Sequence, residues 1–214
     1  MSIYLLPIGD RLTDPACFTP CIERFLTAEQ KLLQELAGPF DTIVEACCTK
    51  GRYAPAFESK NYIGIDIASH HIQEAEKLHA RGTFICEDVS KLPEILENAD
   101  LRGVSLLIFP FNAFGNLPDG EGMLRMLHKS GLSFVISTYT TDKISSEARA
   151  EYYLAAGIEN LVYQNTEEGI RFTDDDCFDS IAYKIEWFRK AFAQFGMQCR
   201  SIPFSEIGIA YVNF

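Results

Sequence analysis

The stretch Thr42-Ile-Val-Glu-Ala-Cys-Cys-Thr-Lys-Gly-Arg-Tyr53 decides the fold. Its first five residues form an apolar run that takes an acid near its end, passes through small residues, and reaches Gly51 ahead of a helix-competent segment at 54–57. A run that short, closed by a turn and followed by a helical pattern, reads as a buried strand feeding a helix. The same grammar repeats downstream. Apolar runs at 62–67, 83–86, 104–109 and 132–138 are separated by polar, helix-competent segments at 69–78, 92–98 and 120–128. Strands that alternate with helices pair in parallel through right-handed crossovers, with helices on both faces of the sheet. Upstream, Ile22, Phe25, Leu26, Leu32, Leu33 and Leu36 recur at helical spacing between Thr19-Pro20 and Gly38-Pro39, which predicts an amphipathic helix with both ends marked.

The predicted class is therefore α/β, a Rossmann-like, seven-stranded, mostly parallel sheet. After the fifth strand the rhythm breaks. Residues 139–180 offer two short strands, 160–164 and 170–172, around Glu167-Glu168-Gly169, and read as a small inserted cap. A helix is predicted over 181–195, ended by Gly196, and the runs 198–204 and 207–214 flank Ser205-Glu206 as a C-terminal antiparallel hairpin. Residues 1–214 show no repeat or long linker and read as a single domain, with the helical segment 1–40 and the insertion 139–180 as cap elements.

With 214 residues, 47% hydrophobic and 23% charged, the chain is rich enough in apolar side chains to bury a core, which excludes disorder as its main state. The net charge of −11 hides no basic lobe, since residues 1–130 carry 18 acids against 12 bases and the remainder 12 against 7. That balance disfavours nucleic acid and anionic membranes and leaves a small neutral or cationic ligand as the default partner. The opening residues, with Pro7 breaking a short apolar run, fit neither a secretory signal nor a membrane span, so a cytoplasmic location is expected. Seven cysteines without a C-x-x-C pair read as reduced thiols. Cys17 and Cys21 have no histidine near them in sequence, and no metal site is expected.

In doubly wound sheets ligands sit at the carboxyl ends of the strands, where the turn after Glu45 is expected. Asp66, 21 positions on, ends the second strand, and a carboxylate there suits the two hydroxyls of a ribose. Asp88 ends the third strand, where it could receive the exocyclic amine of an adenine. These motifs, in this order and spacing, resemble the class I S-adenosylmethionine-dependent methyltransferases of the small-molecule type. The first motif of that family is an acid followed by alternating glycines, and the matching segment is Glu45-Ala46-Cys47-Cys48-Thr49-Lys50-Gly51. Asp66 stands at the second motif, Glu87-Asp88-Val89 at the third, and Phe109-Pro-Phe-Asn-Ala-Phe-Gly-Asn-Leu-Pro118 resembles the segment after the fourth strand. The resemblance implies S-adenosylmethionine as cofactor, held by Glu45, Ala46, Cys47, Gly51, Asp66, Ile67, Asp88, Val89, Pro110 and Asn112, and an acceptor met by Phe111 and Phe114. This chain departs from the family at Cys47 and Thr49, which replace the first two glycines.

A dinucleotide is the rival ligand, but it asks for a glycine-rich turn that leaves room for a pyrophosphate, and here one glycine remains. The expected activity is methyl transfer to a small-molecule amine or ring-bearing compound. The alternative is a non-catalytic S-adenosylmethionine-binding or interaction module on a degenerate methyltransferase fold. An Asn/Asp-Pro-Pro-aromatic segment, which would grip a base amine, is missing after the fourth strand, where Pro110-Phe-Asn112 stands instead. Tyr139, next after the fifth strand, is the best substrate-side candidate, and Tyr152, Tyr153 and Tyr163 add aromatic surface in the insertion. His70, His71, His79 and His128 read as surface or capping residues, so no catalytic base is named. Asp174-Asp175-Asp176 reads as a solvated turn.

Overall fold

Every residue of the strand Ser105–Phe109 is buried, and its side chains alternate between two separate apolar clusters. Leu107 and Phe109 join the cluster on one face, Leu106 and Ile108 the cluster on the other, as expected of a sheet covered on both sides. The computed structural model describes residues 3–214. Its strands are β1 (Thr42–Ala46), β2 (Asn61–Asp66), β3 (Thr83–Cys86), β4 (Ser105–Phe109), β5 (Ser133–Tyr139), β6 (Val162–Asn165), β7 (Gly169–Thr173), β8 (Asp179–Tyr183), β9 (Arg200–Pro203) and β10 (Gly208–Val212). The helices are α1 (Pro7–Thr13), α2 (Pro20–Leu36), α3 (Ser69–Leu78), α4 (Leu92–Asn98), α5 (Gly120–Ser130), α6 (Lys143–Ala155) and α7 (Ile185–Gln194).

The main sheet runs β3-β2-β1-β4-β5-β10-β9. β1 to β5 are mutually parallel, while β10 is antiparallel to both β5 and β9. Strand order reverses between β1 and β4, which opens a crevice at their carboxyl ends. One face carries Leu92 and Ile95 of α4, Met123, Leu124 and Leu127 of α5, and Phe188 and Phe192 of α7. Each such side chain, fully buried, contributes about 1.5–3 kcal/mol. Against the other face lie Leu33 of α2 and the short turn bearing Ala54 and Phe57.

Several helix ends follow directly from sequence. Pro20 opens α2, where its missing N–H is no loss; Asp119 caps α5 by accepting from Gly122 N at 2.8 Å; Gly131, at φ 67°, closes it. The insertion differs from expectation. It contains α6, capped by Asp142, which accepts from Ser145 N at 2.9 Å. Its two expected strands become β6 and β7, and β8 completes a three-stranded antiparallel sheet. The helix expected over 181–195 begins only at Ile185, because residues 179–183 pair with β7 and Lys184 N donates to Glu168 O at 2.8 Å. Ile181 and Tyr183 thus belong to a strand whose apolar residues happen to continue the helical spacing of Ile185 and Phe188. A third apolar cluster joins this insertion to Leu12 of α1 and to Ile22 and Phe25 of α2.

Inside the cap core Arg149 is fully buried. Its guanidinium donates to Ile170 O and Ser180 O, each at 3.0 Å, and lies 4.5 Å from the Phe172 ring centre and 5.1 Å from that of Tyr139. Backbone carbonyls and ring faces together take the place of a carboxylate partner.

Candidate active site

A cavity of about 430 Å³ opens at the carboxyl ends of the parallel strands. From β1 come Glu45 and the turn residues Cys47, Thr49, Arg52 and Tyr53; from β2, Ile65, Asp66 and Ile67; from the end of β3, Glu87, Asp88 and Val89. Pro110, Phe111, Asn112 and Ala113 follow β4, and Tyr139 ends β5. Asn116, Leu117 and Pro118, Tyr152 and Tyr153 of α6, and the N-terminal residues Tyr4, Leu5, Leu12 and Thr13 complete the wall. Ten of the thirteen residues singled out from sequence therefore stand on one surface, among them Cys47, Ile67, Val89 and Pro110. The other three stand elsewhere. Ala46 is wholly buried in the sheet, Gly51 faces His79 and Phe84, and Phe114 is wholly buried against Phe109, Tyr183 and Phe188. Phe114 misses the cavity because the short helical turn 113–116 rotates it into the core beneath α7.

Asp66 is buried, and its two oxygens accept from Thr49 N at 2.8 Å and Ala68 N at 2.9 Å. The carboxylate thereby fixes both the turn after β1 and the start of α3, and its remaining lone pairs are available to the cavity. Asp88 accepts from Ser90 N at 2.8 Å and caps the turn 89–91. Glu45 is buried and accepts from Tyr62 OH at 2.6 Å. Burial pushes its carboxyl up to about 8, against the opposing pulls of Tyr62 and Arg52, so it is mostly protonated at neutral pH.

Glu29 is the feature sequence reading missed. It sits on the buried face of α2, between Phe25 and Leu33, and is fully enclosed. Its carboxyl accepts from Phe111 N at 2.7 Å and from the hydroxyls of Tyr53 and Ser137, which ties α2 to the turn after β1, the segment after β4, and β5. Burial raises its pKa, and the three hydrogen bonds pull against that rise. The signal available in sequence was an acid in register with an apolar stripe.

Glu29 anchors a strained segment. Phe111 and Asn112 take φ 49° and 57°, the left-handed region. Asn112 N donates to Ser137 O at 3.1 Å, its side-chain Nδ2 donates to Ser180 Oγ at 3.1 Å, and its side-chain Oδ1 accepts from the Thr138 hydroxyl. The Asn112 side chain is thus largely spent on β5 and the cap. Among the described residues Arg52 is the only cation on the wall; it donates to Thr13 O at 3.0 Å and lies 4.8 and 5.0 Å from the ring centres of Phe18 and Phe111. No histidine lines the cavity among the described residues, and burial pushes the hydroxyls of Tyr4, Tyr139 and Tyr152 well up, so they are donors at neutral pH. His71, expected at the surface or in a cap, is fully buried, because α1 packs over it and Asp10 meets its ring.

Neither a protein-family model nor a curated protein matches the sequence. Solved structures do match. A DhpI complex with SAM and HEP aligns at a TM-score of 0.61 with 13% identity, covering 96% of this chain and 92% of that one. The glycopeptide N-methyltransferase MtfA bound to sinefungin gives 0.60 with 11% identity over 99% and 98% of the two chains. Magnesium protoporphyrin IX methyltransferase of Synechocystis PCC 6803 with bound SAM gives 0.57 with 13% identity over 99% and 94%. The fold is that of the S-adenosylmethionine-dependent methyltransferases. Within this methyltransferase fold the two departures in the first motif acquire a physical meaning. Cys47 and Thr49 adopt φ 57° and 50°, and Gly51 adopts 75°. The backbone keeps the left-handed turns that glycine makes freely, and two residues with a Cβ carry the strain.

Proposed function

We propose that the protein binds S-adenosylmethionine in this cavity and transfers its methyl group to a small molecule. The observation that carries the proposal is the convergence of Asp66, the Asp88-Val89 segment and Arg52 on one mostly apolar cavity at the strand-order reversal. That set of groups fits the donor: a carboxylate for ribose hydroxyls, an acid beside apolar Val89 and Ile67 for an adenine, and a guanidinium for an amino-acid carboxylate. The fit has a physical test in the turn after β1, where the amides of Cys48, Thr49 and Gly51 are committed to Ile65 O, Asp66 and Cys48 O, so these three are not free to cradle a pyrophosphate. This supports the methyl donor over a dinucleotide. When bound, the sulfonium supplies an electrophilic methyl group.

The chain's own residues then have three tasks. Asp66 and Arg52 orient the donor from two parts of the wall. The N-terminal residues Tyr4, Leu5, Leu12 and Thr13 and the insertion exclude water, serving as cap elements over a single domain. Phe111, Tyr139, Tyr152 and Tyr153 provide aromatic walls for an acceptor, an amine or a ring-bearing compound. With the hydroxyls of Tyr4, Tyr139 and Tyr152 held protonated and, among the described residues, no histidine on the wall, the acceptor brings its own lone pair at neutral pH.

The experiment is transfer of an isotopically labelled methyl group from the donor to cell extracts fractionated into small molecules, RNA, DNA and protein. Label in the small-molecule fraction supports the proposal. Label confined to a macromolecular fraction, or no transfer to any, overturns it.

A further inference from the structure

Outside the cavity, three side chains from two elements converge on one point. Asp10 of α1 and the adjacent His70 and His71 of α3 are far apart in sequence. Yet one oxygen, Asp10 Oδ1, lies 2.9 Å from His70 Nε2 and 2.7 Å from His71 Nε2. The two imidazole rings are 4.2 Å apart, and a ligand atom from each of the three residues lies within 4.8 Å of the others.

The buried ring shows what the cluster is built for. The His71 side chain is fully enclosed, its Nδ1 has no hydrogen-bond partner, and that atom faces Asp66 Oδ1 at 3.9 Å. A neutral imidazole carries one proton. Placed on Nε2, it leaves a bare Nδ1 lone pair facing the Asp66 carboxylate; placed on Nδ1, it leaves a bare Nε2 lone pair against Asp10. A second proton also answers both: burial opposes it and the Asp66 and Asp10 carboxylates favour it and prevail, though it sets an imidazolium beside a second ring that shares the same oxygen. A metal ion on Nε2 answers both with His71 neutral. Nδ1–H then points toward Asp66, the carboxylate–histidine–metal arrangement by which outer carboxylates orient ligating histidines.

We propose that Asp10, His70 and His71 form a binding site for a borderline divalent transition ion of the zinc, cobalt or nickel type. Two imidazoles and one carboxylate select such ions over magnesium or calcium, which prefer oxygen ligands. Asp10 and His70 are half-exposed, so the fourth position faces water. Tetrahedral ligands at zinc distances stand about 3.3 Å apart, so Asp10 Oδ1 draws back from the two Nε2 atoms by about half an ångström as the ion enters. The bound ion staples α1 to α3. Since Leu12 and Thr13 at the end of α1 line the cavity, and His71 abuts Asp66, the staple fixes the cavity's N-terminal wall.

The test is titration of metal-stripped, reduced full-length protein with Co(II) and then Zn(II), without any methyl donor, so its outcome is independent of the activity proposed above. Expected are one equivalent bound with a dissociation constant below about 100 μM, Co(II) absorption of a low-coordinate nitrogen–oxygen site without thiolate charge transfer, and a melting temperature raised by Zn(II). His70→Ala removes a half-exposed ring, and its metal-free melting curve checks that it folds. It and Asp10→Asn should each weaken binding at least about tenfold, while Cys86→Ala, at an exposed thiol, leaves binding unchanged. Absence of one-to-one binding, affinity indifferent to His70→Ala, or a thiolate signature overturns the site.

Discussion

Replacing Thr49 with glycine should stabilise the protein, against the usual effect of that change. A side chain with a Cβ held in the left-handed region costs roughly 1–2 kcal/mol, and Thr49 sits there at φ 50°, fixed by its N–H on Asp66 and by Cys48 N on Ile65 O at 2.9 Å. Glycine keeps the amide and both hydrogen bonds while relieving the strain, and it adds about 0.5–1 kcal/mol of unfolded-chain entropy. The difference leaves about 0.5–1 kcal/mol of net stabilisation, or a rise of about 1–3 °C in melting temperature for a domain of this size. Lys50→Gly is the control in the same turn. Its residue is not left-handed, so no strain is relieved; the entropy term, with the loss of its part-exposed ion pair to Glu74 at 2.9 Å, should lower stability by about 0.5–2 kcal/mol. Urea unfolding of the two variants beside the parent gives the comparison. If Thr49→Gly lost as much as Lys50→Gly, the turn would not be strained, and the link between these positions and the family's glycines would fail.

Asp66→Asn keeps the shape but removes the charge, and should weaken S-adenosylmethionine binding by roughly ten- to a hundredfold in calorimetry; affinity within about threefold of the parent would remove Asp66 from the proposed ribose site. Glu45 takes up a proton on folding, because its folded value near 8 lies above the ordinary 4.5. The folded state then binds more protons than the unfolded one, so this group's contribution to stability falls as pH rises from about 4.5 to 8, by up to about 5 kcal/mol. Glu45→Gln should remove that slope, with the gap between variant and parent widening over that window and level above it; a constant gap would mean an ordinary carboxyl. Arg149→Ala strands Ile170 O and Ser180 O in the cap core and should cost about 3–5 kcal/mol in urea unfolding. A loss under about 1 kcal/mol would show that the guanidinium does not organise the cap.

The parallel core was legible because each of β1 to β5 is a short apolar run between turn residues, and helical spacing marks α2 without competition. α6 was missed although Asp142 stands three residues ahead of Ser145, a cap signal obscured by a helix whose buried face includes Ser145, Ser146 and Arg149. β8 was missed because Ile181 continues the spacing of Ile185 and Phe188, and periodicity alone cannot separate a short buried strand from the helix that follows it. On the site, Asp66, Asp88 and Tyr139 were readable from their places at strand ends. Glu29 and Arg52 were not, since each acquires its role from partners distant in sequence: Glu29 reaches Phe111 and Ser137, and Arg52 reaches Thr13. The meeting of Asp10 with His71 likewise depends on α1, whose Pro7 was read as a break and in fact opens the helix.

Calorimetric titration of the protein with S-adenosylmethionine and with its demethylated product tests the central claim most directly. The expected result is saturable one-to-one binding of both, weakened by Asp66→Asn and retained or tightened by Thr49→Gly. No heat of binding for either ligand at about millimolar concentration would contradict the account and leave a methyltransferase fold whose cavity serves another ligand.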